Sequence, residues 1–579
     1  MSKKPPTPKD KHHQPSTASP EQAPGHNAPR PSHAGTFWRV VAAILSGVLL
    51  TLAFPPAEQA WLAWLALLPL LLVPTPRTWL ERLAIGYLFG YSHFASCLHW
   101  LNEVGFGAGW LLALWCALFP MLWYAVTAAL FWRLKDQRTA SFPGAGPLFI
   151  PSELHLAGTG IFMALLWVTL EWCRGWVLTG FSWNQLGVSQ YRHPALLAIT
   201  TWTGVYGLSF IIVLVNAVLA GEASRQLRQL IAPHKRYIPW HLCLGVLGVL
   251  PLGLAAIHKL PELPQETPSL RVAAIQGNIP QCRVWTREQY DDALRAYDTL
   301  SRQAVGDTAN LDLIVWPESA LPAPLDELDY RVMRLKLLKD TGVPMLIGSL
   351  QDRRVPESPD GQSFNSAFHL KLDGTIADYY DKVHRVPFGE YTPFGDQFPW
   401  LREMIGMGRD LTPGRGFHTI QLPKNTCAGV NICFEDAFAL PSRAFTLQGA
   451  EILFTITNDA WYNQSCGAAQ HASHAVLRAV ENRRPFLRSG NNSHTMLITP
   501  TGQMLGQIRD RKTGSDFTRD FQAYDLPIHD WGMTFYTRFG DVFAQLCALL
   551  CIAALLQFLI RPWFQLKKQQ LATIDKARK

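Results

Sequence analysis

The sequence predicts a protein of two parts: a multi-pass α-helical membrane domain with eight spans, and an extracytoplasmic α/β domain inserted before the last span. Charge is distributed unevenly, since residues 37–258 contain 19 charged side chains while the whole chain has 52 basic and 44 acidic residues. Eight apolar stretches each approach the roughly 20 residues that a helix needs to cross a bilayer. Residues 269–530, between the seventh and eighth stretches, alternate β-rich runs with helical patterns. These observations exclude a purely soluble enzyme and a disordered scaffold.

The first 36 residues are rich in proline, histidine, lysine and serine and contain almost no large apolar side chain. Such a segment cannot bury enough apolar surface to offset its conformational entropy. It is also too long and polar to be the charged start of a cleavable signal peptide. We therefore expect residues 1–36 to form a disordered cytoplasmic tail.

Seven apolar stretches form the predicted membrane domain, residues 37–258. They cover residues 38–54, 58–74, 83–101, 109–132, 160–179, 195–219 and 239–257, and the eighth covers 541–560. Basic side chains cluster in the N-terminal tail, after every second stretch, and in the basic tail 561–579. Because positively charged loops stay in the cytoplasm, both termini are predicted to be cytoplasmic and residues 269–530 to lie outside.

The formal charge of +8 has the same explanation, because the basic residues lie in short clusters between apolar stretches and at both tails. We therefore expect no nucleic acid partner. The ten cysteines are scattered and form no CxxC pair, so neither a disulfide framework nor a zinc site is predicted. No metal ion or other cofactor is expected.

Residues 269–530 are predicted to form one α/β domain in which helices cover a buried sheet. The β-rich runs cover residues 270–276, 311–316, 344–349, 429–433 and 452–456. The helical patterns between them cover residues 287–304, 325–340 and 470–486.

Three segments of this domain carry reactive side chains. The run LIVWPE ends at Glu318, the loop DKVHRVPFGEYTPF contains Lys382, and the run GVNICFE contains Cys433 at the end of its apolar part. Ligands of α/β sheets gather at the carboxyl ends of strands. Glu318 and Cys433 are therefore expected to face one site.

These residue types are sufficient for nucleophilic catalysis. A thiolate is a strong nucleophile, a carboxylate accepts its proton, and an ammonium group stabilises both the thiolate and a tetrahedral oxyanion. Each residue also has an ordinary alternative. Cys433 is equally suited to a small core position, Glu318 to a helix N-cap or an ion pair, and Lys382 to a solvated loop.

In this order, and with WPES, DKVHRVPFGEYTPF and NICFED around them, Glu318, Lys382 and Cys433 resemble the triad of the nitrilase (carbon–nitrogen hydrolase) superfamily. Eight spans with such a domain inserted before the last one resemble the apolipoprotein N-acyltransferases of bacterial inner membranes. The resemblance covers roughly residues 37–560. It implies that the outer domain is a nitrilase-like α-β-β-α sandwich in the periplasm.

The resemblance also implies an activity. Members of that family transfer a fatty acyl chain from a phospholipid to the α-amino group of an apolipoprotein's N-terminal S-diacylglyceryl cysteine, the last step of lipoprotein maturation. Cys433 would then form a thioester in a ping-pong reaction, with Glu318 as general base and Lys382 supporting the oxyanion. The implied partners are the phospholipid, the diacylated apolipoprotein and the bilayer.

Four further residues follow from the resemblance. Glu390 and Glu435 match glutamates of the family near the triad, and Trp285 in QGNIPQCRVW matches a tryptophan expected to line the substrate site. Phe434 departs from the family, because well-known members have tyrosine directly after the nucleophile. The ring is kept at this position, but the hydroxyl group that would form a hydrogen bond is absent.

Two pairs of polar residues have alternative interpretations. Glu171 and Arg174, in the fifth span, are either functional intramembrane charges or neutralise each other on one helix face. His471 and His474 have a spacing that permits metal binding on a helix. Because no carboxylate or cysteine pattern completes such a site, we predict ordinary helix surface.

Two other functions remain as alternatives. A membrane-tethered nitrilase-type amidase would transfer the acyl group to water, whereas a transporter or receptor would use the outer domain only for binding. The spans contain no obvious paired broken helices and no chain of charges, which argues against transport.

Overall fold

The computed structural model describes residues 33–139, 153–231, 245, 267–281, 285–321, 323–355, 358–405, 409–557 and 560. Most of the predicted N-terminal tail, the predicted C-terminal tail 561–579 and, apart from residue 245, the predicted seventh span 239–257 lie outside these residues. The first helix begins at His33, so residues 33–36, which were predicted to belong to the disordered tail, are helical.

Apolar helices form the N-terminal part of the described chain. Three of them are long and apolar enough to cross a membrane, namely Gly35–Leu52, Ala108–Leu130 and Val205–Ser224. A shorter apolar helix of the same part covers Ala60–Leu72, and another, Val542–Gln557, lies near the C-terminal end of the described residues. The chain is therefore a membrane protein. The main α-helices of this part are His33–Leu52, Trp79–Cys97, Ala108–Cys116, Leu118–Thr139, Glu153–Arg174 and Val205–Ile231.

The helix bounds differ from the prediction in three of the predicted spans. The stretch 58–74 forms a 3-10 helix, Ala60–Trp64, followed by a short α-helix, Leu68–Leu72. Within the stretch 160–179, the helix ends at Arg174. The stretch 195–219 begins with two single turns before the long helix starts at Val205, because Gly204 adopts a φ of +62° that ends the second turn. Hydropathy alone does not reveal such interruptions.

The α/β domain, named the outer domain for its predicted position, contains two six-stranded mixed sheets. This agrees with the α-β-β-α sandwich that the family resemblance implies, whereas the β-rich runs alone predicted one buried sheet. The first sheet has the order β12-β1-β2-β3-β4-β5 and the second the order β11-β10-β9-β8-β7-β6. The first-sheet strands are β1 Ser269–Gln276, β2 Leu313–Val315, β3 Met345–Val355, β4 Ser358–Leu370, β5 Ile376–Asp381 and β12 Asp520–Pro527. The second-sheet strands are β6 Ile420–Leu422, β7 Thr426–Ile432, β8 Ile452–Thr457, β9 Phe486–Gly490, β10 Met496–Ile498 and β11 Met504–Leu505.

The sheets pack face to face, with β1 against β9 and β4 against β7. Helices Arg287–Asp307 and Leu328–Thr341 cover the first sheet, and helices Ala439–Leu447 and Gly467–Asn482 cover the second. The layer order is therefore helix, sheet, sheet, helix. The three central strands of each sheet, β1–β2–β3 and β7–β8–β9, are parallel. Ligands of α/β proteins bind at the loops that follow the carboxyl ends of such strands.

Helix Gly467–Asn482 joins the outer domain to the membrane part, and all of its residues except Ala469 are buried. The side chain of Gln470 makes the central connection. Its Oε1 accepts hydrogen bonds from Trp100 Nε1 at 3.0 Å and from Trp183 Nε1 at 2.9 Å, and its Nε2 donates to the carbonyl oxygen of Cys97 at 3.1 Å. A buried amide with these partners fixes the part of the outer domain that contains the second sheet against the ends of the membrane helices.

Candidate active site

Glu318, Lys382 and Cys433 lie together where strands of the two sheets end. Glu318 follows β2 by three residues, whereas Lys382 and Cys433 directly follow β5 and β7. All three side chains are at least nine-tenths buried, with exposures of 7%, 2% and 7%. The backbone of Glu318 packs closely against β3 because residue 348 is a glycine: a Cβ atom at that position would lie 2.6 Å from the Glu318 Cα atom. The structure thus places the three predicted residues in one enclosed site.

The Lys382 ammonium group lies between two carboxylates. Its Nζ is 2.8 Å from Glu390 Oε1 and 3.5 Å from Glu318 Oε1. Burial by itself would lower the pKa of Lys382, but Glu390 and Glu318 outweigh that effect and raise it above its ordinary value. Lys382 is therefore a permanent buried cation, and Glu390 is its closer partner.

Asn365 of β4 orients both carboxylates. Its Nδ2 donates to Glu318 Oε1 at 2.7 Å and to Glu390 Oε1 at 3.0 Å. The other oxygen of Glu318 accepts a hydrogen bond from the backbone N–H of Asn458 at 3.0 Å. Sequence analysis did not identify Asn365 or Asn458, because neither lies near a triad residue in the chain.

Cys433 is the first residue after β7, and its φ of +52° lies in the left-handed region. A non-glycine residue in this conformation costs on the order of 1–3 kcal/mol and persists only where its surroundings impose it. Burial, followed by Glu318, raises the pKa of the Cys433 thiol well above its ordinary value, and Lys382 opposes the shift. The resting side chain is therefore a neutral thiol beside a carboxylate.

The Glu435 side chain forms hydrogen bonds that connect the segment around Lys382 to the turn that contains Cys433. Its Oε1 accepts hydrogen bonds from the hydroxyl group of Tyr380 and from the backbone N–H groups of Val383 and His384, at 2.9, 2.9 and 3.0 Å. Its Oε2 accepts from the N–H of Ile432 at 2.9 Å. Burial raises the pKa of Glu435 to about 7, although the backbone donors oppose the shift. Glu435 thus holds two triad-bearing segments together.

We expect Glu435→Gln to destabilise this connection. An amide has one acceptor oxygen where the carboxylate has two, so at least one of the four buried donors loses its partner, at a cost of about 1–3 kcal/mol. The free energy of unfolding in detergent measures the loss. Glu451→Gln is the control, because the half-buried Glu451 accepts a bond from the N–H of Cys427 at 3.1 Å. Equal unfolding free energies for the two variants would contradict the role of Glu435.

Phe434 forms part of an aromatic wall between the outer domain and the membrane part. Its ring stacks on Phe181 and Trp183, with centroid separations of 6.2 and 6.0 Å, and packs edge-on against Phe438 at 5.0 Å. Phe434 is 6% exposed, so its position suits an apolar ring without a hydroxyl group. Phe434, which stands where well-known family members have tyrosine, therefore lies in a packed aromatic surface beside the site.

Glu171 and Arg174 support the loop that carries this wall. In the described part of the chain, Arg174 Nη1 donates to the carbonyl oxygens of Phe181 and Trp183 at 3.0 and 2.8 Å. Glu171 Oε1 accepts from the N–H of Leu186 at 2.7 Å. The two side chains thus bind the loop instead of each other, which favours a structural role over mutual neutralisation.

Trp285 lies just before helix Arg287–Asp307 and packs, partly buried, against the hydrophobic cluster of the first sheet. The same segment reaches the site through Gln281, whose Oε1 accepts a hydrogen bond from Asn458 Nδ2 at 3.2 Å. Substrate contact by Trp285 stays a prediction.

The expectation that His471 and His474 lie on an ordinary helix surface is wrong, because both are fully buried. Helix Gly467–Asn482 lies between the second sheet and the membrane part, so even its polar residues are enclosed. Among the residues that the structure describes, no three or more His, Cys, Asp or Glu side chains are arranged so that they could hold a metal ion.

Two family models cover most of the chain. The model of the apolipoprotein N-acyltransferase N-terminal domain matches residues 46–218, and the carbon-nitrogen hydrolase model matches residues 271–519. The chain is 33% identical to the apolipoprotein N-acyltransferase of Geobacter metallireducens over 523 residues, which cover 87% of this chain and 92% of that protein. It is 30% identical to that of Gloeobacter violaceus over 533 residues, covering 89% and 93%. With that of Photobacterium profundum it shares 29% identity over 526 residues, covering 87% and 92%.

Proposed function

This chain belongs to the apolipoprotein N-acyltransferase family, and from that premise we propose how its own residues carry out the N-acylation of lipoproteins. Cys433 takes a fatty acyl group from a phospholipid and holds it as a thioester. The acyl group then passes to the α-amino group of an S-diacylglyceryl cysteine at the N-terminus of an apolipoprotein. The observation that carries this proposal is a buried thiol placed with a carboxylate and an ammonium group beside an apolar wall.

In the first half-reaction, Glu318 accepts the thiol proton while Cys433 Sγ attacks the ester carbonyl carbon of the phospholipid. The raised pKa of the thiol makes this general base necessary. Lys382 stabilises the negative charge that develops on the carbonyl oxygen. The C–O ester bond then breaks, the proton passes from Glu318 to the leaving alcohol, and a lysophospholipid departs.

In the second half-reaction, the lipoprotein amine attacks the thioester carbonyl carbon. Glu318 accepts a proton from the amine as the C–N bond forms, the C–S bond then breaks, and the same proton passes from Glu318 to the departing sulfur to restore the thiol. Lys382 again supports the oxyanion. Because the thioester retains the activation of the acyl group, two different substrates use one site in turn.

Glu390 is proposed to hold Lys382 in position without reacting, because its carboxylate is tied to the ammonium group, to Asn365 and, through Oε2, to the N–H of Val386 at 2.8 Å. Trp285 is proposed to line the substrate path, and Phe434 with Trp183 is proposed to form the surface along which the acyl chain lies.

The arrangement in the membrane is also proposed. Eight spans, with both termini in the cytoplasm of a bacterial inner membrane, place residues 269–530 in the periplasm. The clusters of basic residues after every second apolar stretch support this orientation. It brings the site to the outer leaflet, where an acyl donor in the bilayer reaches it sideways.

Intact-protein mass spectrometry tests the reaction. Incubation with phospholipid alone is expected to add one acyl group, removable by hydroxylamine and located on Cys433 by peptide mapping. A diacylated lipopeptide with a free amine is then expected to remove the adduct and gain its mass, whereas an N-acetylated lipopeptide leaves the adduct in place. Loss of the adduct to water at a rate that the amine does not change would instead support the amidase.

A further inference from the structure

A cluster of four ionisable side chains lies behind Cys433 and has no place in the reaction described above. It consists of His471, Asp436, Asp459 and Arg488, each of which is completely buried. His471 is the centre of the cluster. Its Nδ1 lies 2.8 Å from Asp459 Oδ1 and its Nε2 lies 2.9 Å from Asp436 Oδ1. Arg488 Nη2 contacts the other oxygen of Asp459 at 2.5 Å.

The oxygen atoms around His471 determine its protonation. The Nε2 atom also faces the carbonyl oxygen of Cys433 at 3.2 Å, and a carbonyl oxygen only accepts hydrogen bonds. The Nδ1 atom lies 2.8 Å from Asp459 Oδ1, which only accepts, and 3.3 Å from Arg488 Nη2, which only donates. The shorter contact is with the carboxylate, so this nitrogen donates to Asp459, while Arg488 donates to the other oxygen of Asp459 at 2.5 Å. Burial by itself would lower the pKa of His471, but Asp436 and Asp459 raise it to about 9. Two cations then balance two anions, as buried charges require.

The cluster contacts Cys433 in two ways. His471 donates to the carbonyl group of this residue, whose φ of +52° needs support from its surroundings. Thr457 donates to Asp459 Oδ1 at 3.0 Å, and the same hydroxyl group lies near the Cys433 thiol, whose pKa it lowers. The backbone of Cys433 is thus bonded to the cluster, and its sulfur lies beside a residue that the cluster holds.

We propose that His471, as a buried imidazolium, is a positioning residue that holds the Cys433 turn in the conformation from which the thiol attacks. The inference rests on the proposed role of Cys433 as nucleophile. His471 touches neither substrate nor reacting atom, and acts through the carbonyl group of Cys433 and through Asp459.

Stability measurements test the charge on His471. With an imidazolium the cluster is neutral, so His471→Gln leaves one excess negative charge and Asp436→Asn leaves one excess positive charge. Each single variant is expected to lower the midpoint of thermal unfolding in detergent, and the double variant is expected to recover part of the loss. A neutral His471 predicts the opposite for Asp436→Asn, because that change would then remove an excess negative charge. A raised midpoint for Asp436→Asn therefore overturns the proposal.

Kinetics test the positioning role. His471→Gln is expected to slow formation of the Cys433 acyl adduct by about tenfold or more, with an unchanged KM for the phospholipid, because a misplaced nucleophile affects the chemical step. His474→Gln is the matched control, since its ring is equally buried and lies at 5.2 Å from the same Trp183 ring, where the His471 ring lies at 5.3 Å. Adduct formation at the parental rate in folded His471→Gln, or equal slowing in both variants, overturns the role.

The experiments distinguish failure of the proposed function from failure of the positioning role of His471. If wild-type protein forms no adduct on Cys433, the proposed function fails, whatever the unfolding midpoints of the His471 and Asp436 variants show. If wild-type protein forms the adduct and His471→Gln forms it equally fast, only the positioning role fails.

Discussion

Cys433→Ser is expected to lower the rate of lipopeptide N-acylation by at least about a thousandfold and to eliminate the hydroxylamine-labile adduct. A serine hydroxyl group loses its proton far less readily than a thiol and is a weaker nucleophile in the same place. The substitution changes one atom in a buried side chain, so the fold is expected to persist. The measurement is transfer of a labelled acyl chain from phospholipid to a diacylated lipopeptide.

Cys427→Ser provides the matched control for this prediction. Cys427 lies in the same strand, β7, and is only half-buried, with its backbone N–H bonded to Glu451. Parental activity is expected for this variant. If Cys433→Ser transfers acyl chains as fast as Cys427→Ser, the thioester mechanism is wrong.

Lys382→Met is expected to have the second large effect, on both stability and activity. It leaves Glu318 and Glu390 as two buried carboxylates without their shared cation, and breaking a buried ion pair in this way costs about 3–5 kcal/mol. It also removes the cation that supports the oxyanion, a loss of about a hundredfold to a thousandfold in rate. Thermal unfolding and single-turnover adduct formation measure the two losses.

A second substitution separates these effects. Lys382→Met combined with Glu390→Gln restores the net charge of the site, so the double variant is expected to regain stability but not adduct formation. Lys424→Met is the surface control, because Lys424 is 47% exposed in its ion pair with Asp312 and such a pair contributes at most about 1 kcal/mol. Recovery of activity in the double variant would show that Lys382 only balances charge.

Much of the fold could be predicted because it depends on neighbours in the chain. The predicted run 452–456 corresponds to β8, Ile452–Thr457, and the pattern at 287–304 corresponds to helix Arg287–Asp307. The run 429–433 ends at Ile432 because Cys433 turns away at positive φ, which no apolar pattern records. The helix predicted at residues 470–486 is too long at its C-terminal end, since the helix ends at Asn482 and β9 begins at Phe486.

The sequence by itself determined the membrane character and the α/β nature of the outer domain, and it singled out Glu318, Lys382 and Cys433 as the predicted reactive residues, because hydropathy and short motifs are local properties. Only the tertiary structure decided how the two sheets pack together, that Glu390 rather than Glu318 lies closer to Lys382, and that His471 is enclosed between two carboxylates. These features join residues far apart in the chain. Their energies depend on distance and on exclusion of water, which the folded chain alone establishes.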